Sequence, residues 1–219
     1  MSKTVFITGA SSGIGKATAR AAAQAGWHVG LFARNKEKLN EIANDLGDSA
    51  TVLPGDVTKL EDITAALDTL GRVDAVFANA GKGLSTPGSE QCDPEAWHDM
   101  IHVNIMGVLY TAKAALPRLR ATMGHMVLTG SAAGRVHIKG SIYGASKWFI
   151  HGYAGNLAQE MAEWGGRCTV VAPGMVDTAF FDEPKPDKLQ PEDVADAVML
   201  ALEADPRCAV REVFLMPTQ

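Results

Sequence analysis

Short apolar segments alternate with longer amphipathic segments along the chain, and this alternation constrains the fold more than any other feature. The short segments are rich in β-branched and aromatic residues and predict strands at 4–8, 28–33, 50–55, 73–81, 125–131, 167–174 and 212–216. The segments between them have helical spacing and predict helices at 13–25, 36–46, 60–70, 94–121, 143–164 and 191–203. Pro117 is expected to bend or interrupt the fourth of these helices, because proline lacks the N–H that a helix interior needs.

Apolar strands separated by helices indicate a parallel sheet that is buried on both faces. We therefore predict an α/β fold of the Rossmann type, a doubly wound sheet of about seven strands with helices on both faces. Because neither repeats nor shifts in composition divide the chain, residues 1–219 are expected to form a single domain.

Composition excludes several other classes of protein. The net charge of −5 and the scattered Lys and Arg residues argue against a nucleic-acid surface. We expect neither a signal peptide nor a membrane span, because the apolar runs are short. The three cysteines lack the spacing of metal ligands, so we expect no metal site and a reducing compartment, the cytoplasm.

A glycine-rich turn, TGASSGIG at residues 8–15, joins the first predicted strand to the first predicted helix. Gly9 permits a tight turn, Gly13 lets the backbone approach a pyrophosphate, and Gly15 allows close packing of the helix on the strand. Unpaired N–H groups at the helix start favour phosphate binding. In this context the motif predicts a dinucleotide site, whereas an isolated glycine turn would be only a tight loop.

The second predicted strand ends in LFARN, which bears on the choice of cofactor. An acidic residue at this point would bind the ribose hydroxyls of NAD, but Ala33 stands there and Arg34 follows. The forked donors of arginine suit a 2′-phosphate. We therefore expect NADP(H) to be preferred, with NAD(H) possible. The alternative is that Arg34 only solvates the strand end.

Further motifs follow the glycine turn along the chain. In order they are TGASSGIG, Asp56–Val57, ANAG at 78–81, HVN at 102–104, GSAAG at 130–134, YGASK at 143–147, and APG at 172–174 followed by Thr178. This ordered set resembles the motifs of the short-chain dehydrogenase/reductase family. The match runs from Thr4 to about Thr178. One departure is Ala78, where the family has asparagine.

The resemblance implies a set of site residues. The implied catalytic residues are Asn104, Ser131, Tyr143 and Lys147. The implied cofactor-binding residues are Gly9, Ser11, Ser12, Gly13, Ile14, Gly15, Arg34, Asp56, Val57, Asn79, Ala80, Gly81, Tyr143, Lys147, Pro173, Gly174, Val176 and Thr178.

The chemistry of these side chains is consistent with hydride transfer between nicotinamide and a carbonyl or secondary alcohol. Tyr143 would act as general acid or base, and Ser131 would stabilise charge on the substrate oxygen. Tyr143 and Lys147 are four residues apart and share a helix face, so we expect the lysine charge to lower the pKa of Tyr143. The resemblance further implies that Lys147 holds the nicotinamide ribose and that Asn104 fixes a water of a proton relay.

The substrate region departs from the family. Ser131 and Tyr143 are 12 residues apart, one fewer than is usual there, and the segment 179–190 is shorter than the lid of many relatives. The charged, proline-containing stretch 181–188 is expected to be irregular. The expected pocket walls are the loop 135–138, with Arg135 and His137, together with Leu84, Met175, Phe180 and Phe181. The Phe and Met residues favour an apolar substrate, whereas Arg135, His137 or Lys139 would suit the carboxylate of a 3-hydroxy or 3-oxo acid. The alternative is that these cations only face solvent.

We expect a small-molecule carbonyl or hydroxy substrate and a homodimer or homotetramer. The apolar stretches 105–116 and 148–158 suit subunit contacts, which the family often makes with these helices. A second hypothesis is a non-catalytic NADP(H)-binding redox sensor, which would keep the glycine turn and lose the catalytic residues. A nucleotide-sugar epimerase or dehydratase would need a longer C-terminal portion than the residues after Pro173 provide.

Overall fold

A computed structural model describes residues 2–84, 88–181 and 183–218. Its seven strands form one parallel sheet in the order β3-β2-β1-β4-β5-β6-β7. The strands are β1 (Thr4–Thr8), β2 (His28–Ala33), β3 (Ala50–Pro54), β4 (Ala75–Ala78), β5 (His125–Thr129), β6 (Arg167–Pro173) and β7 (Glu212–Leu215). The strand order reverses direction between β1 and β4, which is where such a sheet opens a binding crevice.

Helices cover both faces of the sheet. They are α1 (Gly13–Gln24), α2 (Lys36–Leu46), α3 (Leu60–Leu70), α4 (Pro94–Ile101), α5 (Gly107–Thr122), α6 (Ile142–Ala162) and α7 (Pro191–Glu203). Alternate residues of each strand contribute to different cores, so Phe6 and Val76 pack with α3, α5 and α6, while Val5 and Phe77 pack with α1, α2 and α7. Fully burying one such side chain contributes about 1.5–3 kcal/mol. The predicted single-domain Rossmann-type fold is confirmed.

The predicted helix 94–121 differs from the observed structure in two ways. Pro117 lies inside α5, which continues through it, so the predicted interruption there is wrong. The regular helix is instead replaced by a π-helical turn, His102–Met106, between α4 and α5. Within the described residues, no helix has the length and apolar character needed to cross a membrane.

Candidate active site

A cavity of about 1340 Å³ lies at the carboxyl edge of the sheet. Because all strands are parallel, the loops that follow β1 to β6 converge at this edge. The cavity walls include most of the residues that the sequence assigned to the cofactor: Gly9, Ser11, Ser12, Gly13, Ile14, Arg34, Asp56, Val57, Asn79, Ala80, Gly81, Tyr143, Lys147, Pro173, Gly174, Val176 and Thr178.

The glycine turn is packed so closely that side chains would obstruct it. Gly9 has a φ of 68° and Gly13 a φ of 49°, in the left-handed region that favours glycine. A Cβ on Gly15 would lie 2.3 Å from the carbonyl oxygen of Gly9, so only glycine fits at this position. Gly15 packs against the turn and does not line the cavity. The Ser12 side chain makes no capping hydrogen bond to α1. The turn therefore fits a pyrophosphate, with the start of α1 facing the cavity.

Arg34 and Asp56 are two polar residues that line the far end of the cavity. Burial raises the pKa of the Asp56 carboxyl. Hydrogen bonds from the Thr58 N–H and hydroxyl, both at 2.9 Å, and the charges of Arg34 and Lys59 outweigh that effect and bring the pKa below its ordinary value. Arg34 itself is exposed, and its guanidinium can reach an anionic group bound in this end of the cavity.

Asn79 ties together the ends of three strands. Its side-chain amide donates to Thr8 O at 3.1 Å, and its Oδ1 accepts a hydrogen bond from the Thr129 hydroxyl at 3.2 Å. The Thr8 hydroxyl also accepts from the N–H groups of Asn79 and Ala80. One asparagine thus fixes the floor of the cavity, and the preceding Ala78 is simply buried in β4.

Tyr143, Ser131 and Lys147 meet on one wall of the cavity. Tyr143 stands in the first turn of α6, whose start is capped by the Ser141 hydroxyl accepting from the Gly144 N–H at 2.9 Å. Ser131 follows β5, and its hydroxyl, which accepts from the Ala133 N–H at 3.1 Å, acts to lower the pKa of the Tyr143 phenol. Lys147, one turn along α6, is buried, and its Nζ lies 5.8 Å from the centre of the Tyr143 ring. The Lys147 ammonium donates to Thr129 O at 2.8 Å.

The pKa of Tyr143 differs from the expectation. Burial raises the pKa of the Tyr143 phenol, and the hydrogen bond with Ser131 offsets only part of this. Burial also lowers the pKa of Lys147 to about 8. The predicted net lowering by Lys147 is therefore wrong for the chain alone, because desolvation of the phenolate outweighs the effects that favour it. At neutral pH Tyr143 is a neutral phenol that can donate a proton.

Asn104 is buried in the π-helical turn, beneath the cavity rather than on its wall. Its Oδ1 accepts from the Lys82 N–H at 2.9 Å, and its Nδ2 donates to Lys82 O at 3.0 Å and to the Ser146 hydroxyl at 3.2 Å. The side-chain amide therefore holds the loop after β4 against α6. Local π-helices often accompany functional sites, since they re-aim side chains within a helix.

The loop after β6 closes the cavity beside the glycine turn. A Cβ on Gly13 would lie 3.1 Å from Cγ2 of Thr178, which shows how near the two segments are. Farther along, Val176 pairs with Leu189 in an isolated bridge. The described part of 179–190 contains turns and no helix, and Asp182 lies outside the described residues.

The structure brings part of the predicted substrate wall to the cavity. Met175, Phe180 and Phe181 do line the cavity, and the Phe180 ring lies 5.5 Å from that of Tyr143. Leu84, Arg135 and His137 are not among the lining residues. Arg135 forms an ion pair with Glu212 on β7, and His137 stacks on Trp148 at 5.3 Å between ring centres.

The predicted loop 135–138 does reach the cavity, through Val136 and Ile138. Charged and apolar side chains alternate in RVHIKG, and in the structure the apolar ones line the cavity while Arg135 and His137 contact Glu212 and Trp148. Sequence reasoning also missed Lys82, His98, His102 and Met216, which line the cavity from the loop after β4, from α4 and the π-helical turn, and from the end of β7.

Comparison with known proteins agrees with this geometry. The family model described as short chain dehydrogenase matches residues 3–189. An uncharacterized oxidoreductase of Staphylococcus aureus (strain MRSA252) is 41% identical over 225 residues, covering 98% of this chain and 97% of that protein.

Two solved structures are similar over nearly their full length. An alcohol dehydrogenase from the archaeon Thermococcus sibiricus, complexed with 5-hydroxy-NADP, has a TM-score of 0.91 and 33% identity, covering 100% of this chain and 97% of that one. Serine dehydrogenase from Escherichia coli has a TM-score of 0.91 and 30% identity, with 99% of both chains covered. The glycine turn, the converging loops and these matches together place the chain in the short-chain dehydrogenase/reductase family of oxidoreductases.

Proposed function

We propose that the protein is an NADP(H)-dependent oxidoreductase that interconverts a carbonyl and a secondary alcohol in a small molecule. The observation that carries this proposal is the meeting of Tyr143, Ser131 and Lys147 on the wall of the cavity that also contains the glycine turn. A phenol with a hydroxyl partner and a buried lysine provides proton transfer next to a dinucleotide-sized space.

The residues that would hold the cofactor divide among its parts. The turn Gly9–Gly15 would take the pyrophosphate, Arg34 the 2′-phosphate, and Asp56 and Val57 the adenine. The walls near the nicotinamide would be formed by Asn79, Ala80, Gly81, Pro173, Gly174, Val176 and Thr178, with Lys147 at the adjoining ribose. The structural relative from Thermococcus sibiricus contains 5-hydroxy-NADP, which supports this assignment.

The bound nicotinamide would supply or accept the hydride, and the chain's own residues would manage the proton and the charge. In the reducing direction Tyr143 donates its proton to the carbonyl oxygen as general acid. The Ser131 hydroxyl donates a hydrogen bond to the same oxygen and stabilises its developing charge. In the oxidising direction Tyr143 acts as base. Asn104 would contribute to a proton relay through water near Lys147, in addition to holding Lys82.

The pocket favours an apolar group next to the reacting carbon. Val136, Ile138, Met175, Phe180 and Phe181 line it, and the segment 179–190 contributes the two phenylalanines as a short substrate loop. Arg135 already pairs with Glu212, and Lys82 lies 3.5 Å from the Asp99 carboxylate. Binding a substrate carboxylate would compete with these pairs, so we propose neutral ketones, aldehydes or esters of oxo acids over 3-oxo acids themselves.

The alternative, a non-catalytic NADP(H)-binding redox sensor, has less support. A sensor needs the cofactor end of the cavity but has no use for the Tyr143–Ser131 contact or the buried Lys147.

The test is a panel of aldehydes, ketones, diketones and 3-hydroxy acids, together with the matched pair methyl acetoacetate and acetoacetate, followed by NADPH absorbance. The wild-type protein should turn over neutral carbonyls and prefer the ester to the acid. Tyr143→Phe should bind NADPH normally and lose about 100-fold or more of the turnover, the contribution of a general acid. Near-full turnover by Tyr143→Phe would contradict the mechanism, and NADPH binding with no turnover of any compound would favour the sensor.

A further inference from the structure

His151 lies directly behind the turn that carries Ser131. The ring is buried and fills the space beside the two glycines of GSAAG, because a Cβ on Gly130 would lie 2.8 Å from its Nε2 and a Cβ on Gly134 would lie 2.6 Å from its Cδ2. The Nε2 atom is 3.2 Å from Ser131 O and 3.5 Å from Ser131 N. Either neutral tautomer of the ring can therefore hydrogen-bond the Ser131 backbone, as donor to the carbonyl or as acceptor from the N–H.

The other side of the ring faces an ion pair. The Nδ1 atom of His151 lies 3.5 Å from Oε1 of Glu212, a residue of β7. Arg135 donates to the same carboxylate with two nitrogens, Nε to Oε1 at 3.0 Å and Nη2 to Oε2. Arg135 comes immediately after the short 3₁₀ turn Ala132–Gly134 that Ser131 begins. The contacts therefore run from Ser131 through His151 and Glu212 back to the other end of the same turn.

We propose that His151 is a positioning residue for Ser131, and that the Arg135–Glu212 pair holds His151 in place. This inference rests on the proposed function, since Ser131 must aim its hydroxyl at both Tyr143 and a substrate oxygen. Ser131 is followed by a 3₁₀ helix of only three residues, so the orientation of Ser131 depends on the side chains that pack behind it. A displacement of about 1 Å in such a group can cost about 100-fold in rate.

A neutral His151 suits this position. Burial lowers its pKa, and the nearby charges of Arg135 and Lys147 act in the same direction against the opposing effects of the Ser131 backbone and Glu212. The uncharged ring can bond the Ser131 backbone without adding a positive charge close to Lys147. The groups that face Tyr143 itself are the Ser131 hydroxyl, Lys147 and the Phe180 ring.

The experiment compares three variants with the wild-type enzyme in the presence of NADPH. His151→Leu removes both hydrogen-bonding atoms at similar bulk, and His151→Gln restores an amide nitrogen or oxygen at the position of Nε2. His125→Leu is the matched control, because His125 is also a buried histidine but stands at the opposite end of β5 from Ser131.

His151→Leu should lower kcat by about 10- to 100-fold, with the dissociation constant for NADPH unchanged within about twofold. His151→Gln should recover most of the loss. Since Ser131 lowers the pKa of Tyr143, the ionisation seen in the pH–rate profile of His151→Leu should move to higher pH. His125→Leu should lose stability and keep both kcat and the pH profile.

Two results would overturn the proposal. One is an active His151→Leu enzyme with wild-type kcat and pH profile; the other is a similar loss of kcat in His151→Leu and His151→Gln without a change in the profile, which would indicate a general packing defect. If the wild-type protein turns over no substrate, the proposed function fails by itself. Crystal structures of wild type and His151→Leu then decide the positioning role, because an unmoved Ser131 turn in the variant contradicts it.

Discussion

Arg34 is the side chain proposed to set the preference for NADP(H) over NAD(H). It lines the far end of the cavity, is exposed, and acts on Asp56 through its charge. A hydrogen bond to a charged partner contributes about 1.5–3 kcal/mol, or about 10- to 100-fold in affinity. We expect Arg34→Ala to weaken NADPH binding by that factor and to leave NADH binding nearly unchanged, as measured by fluorescence titration.

Lys36→Ala is the control for the Arg34 prediction, because Lys36 is an exposed cation two residues away that does not line the cavity. It should leave the affinities for both cofactors unchanged. Equal loss of NADPH and NADH affinity in Arg34→Ala would mean that the guanidinium contacts a part that both cofactors share.

Tyr143 illustrates what a residue's neighbours in sequence cannot show. The spacing of Tyr143 and Lys147 correctly placed both side chains on one face of α6. The sign of the pKa shift depended on burial and on Ser131, 12 residues away in the sequence, and so could not be read from the spacing. As a neutral phenol, Tyr143 can donate a proton. To act as a base it must first lose that proton, which requires that bound cofactor and substrate lower its pKa.

At the scale of elements, the strands and most helices followed from pattern alone because the parallel sheet is buried on both faces. The bounds of β1, β2, α2, α3 and α7 agree with the prediction, and the ends of the other predicted elements are within three residues of it. The π-helical turn at Asn104 was not predictable from periodicity. It depends on hydrogen bonds from the Asn104 amide to Lys82 and Ser146, which are distant in sequence.

His125, at the start of β5, makes the stability of the folded protein depend on pH. Nε2 of His125 lies 2.7 Å from the Thr169 hydroxyl on β6, and burial together with the Arg167 charge lowers the pKa of His125 to about 3. In the unfolded chain histidine has a pKa near 6.5. Between these two values the unfolded chain binds a proton that the folded protein does not, so stability falls as the pH drops below about 6.5.

Chemical denaturation at pH 7 and pH 5 measures this effect. The wild-type protein should lose about 2 kcal/mol more than His125→Leu over that interval, because the variant lacks the titrating group. The difference between the two proteins cancels contributions from other histidines and carboxylates. The same pH dependence in both proteins would show that His125 is not buried in its neutral form.

At the scale of the whole molecule, local sequence patterns predicted the position of the cavity, but they did not predict the contacts around it. The loops after parallel strands must converge, and this alone brings the glycine turn, Ser131 and Tyr143 together. The ion pair between Arg135 and Glu212 joins the loop after β5 to β7, between residues that are 77 positions apart. No short pattern encodes that contact, which is why the sequence suggested only solvent or a substrate carboxylate as partners of Arg135.

The outer face of the molecule leads to a last prediction, the oligomeric state. On α4 and α6 the large apolar side chains Ile101, Trp148 and Phe149 are 38%, 40% and 37% exposed, and Phe149 stacks on Tyr153 at 5.9 Å between ring centres. Large apolar side chains exposed on neighbouring elements are typical of a subunit contact. We propose that the chain forms a dimer or tetramer through this face, with a mass by light scattering at micromolar concentration of at least twice 23.2 kDa.

Phe149→Asp should shift this assembly toward the monomer, because a buried unpaired carboxylate opposes association. Met123→Asp is the matched control: Met123 is 67% exposed and lies beyond the end of α5, away from the proposed contact, and its replacement should leave the mass unchanged. A wild-type monomer would contradict the assembly itself. A wild-type oligomer that Phe149→Asp does not dissociate would instead place the contact on another face, with Phe149 exposed in the assembled protein as it is in the single chain.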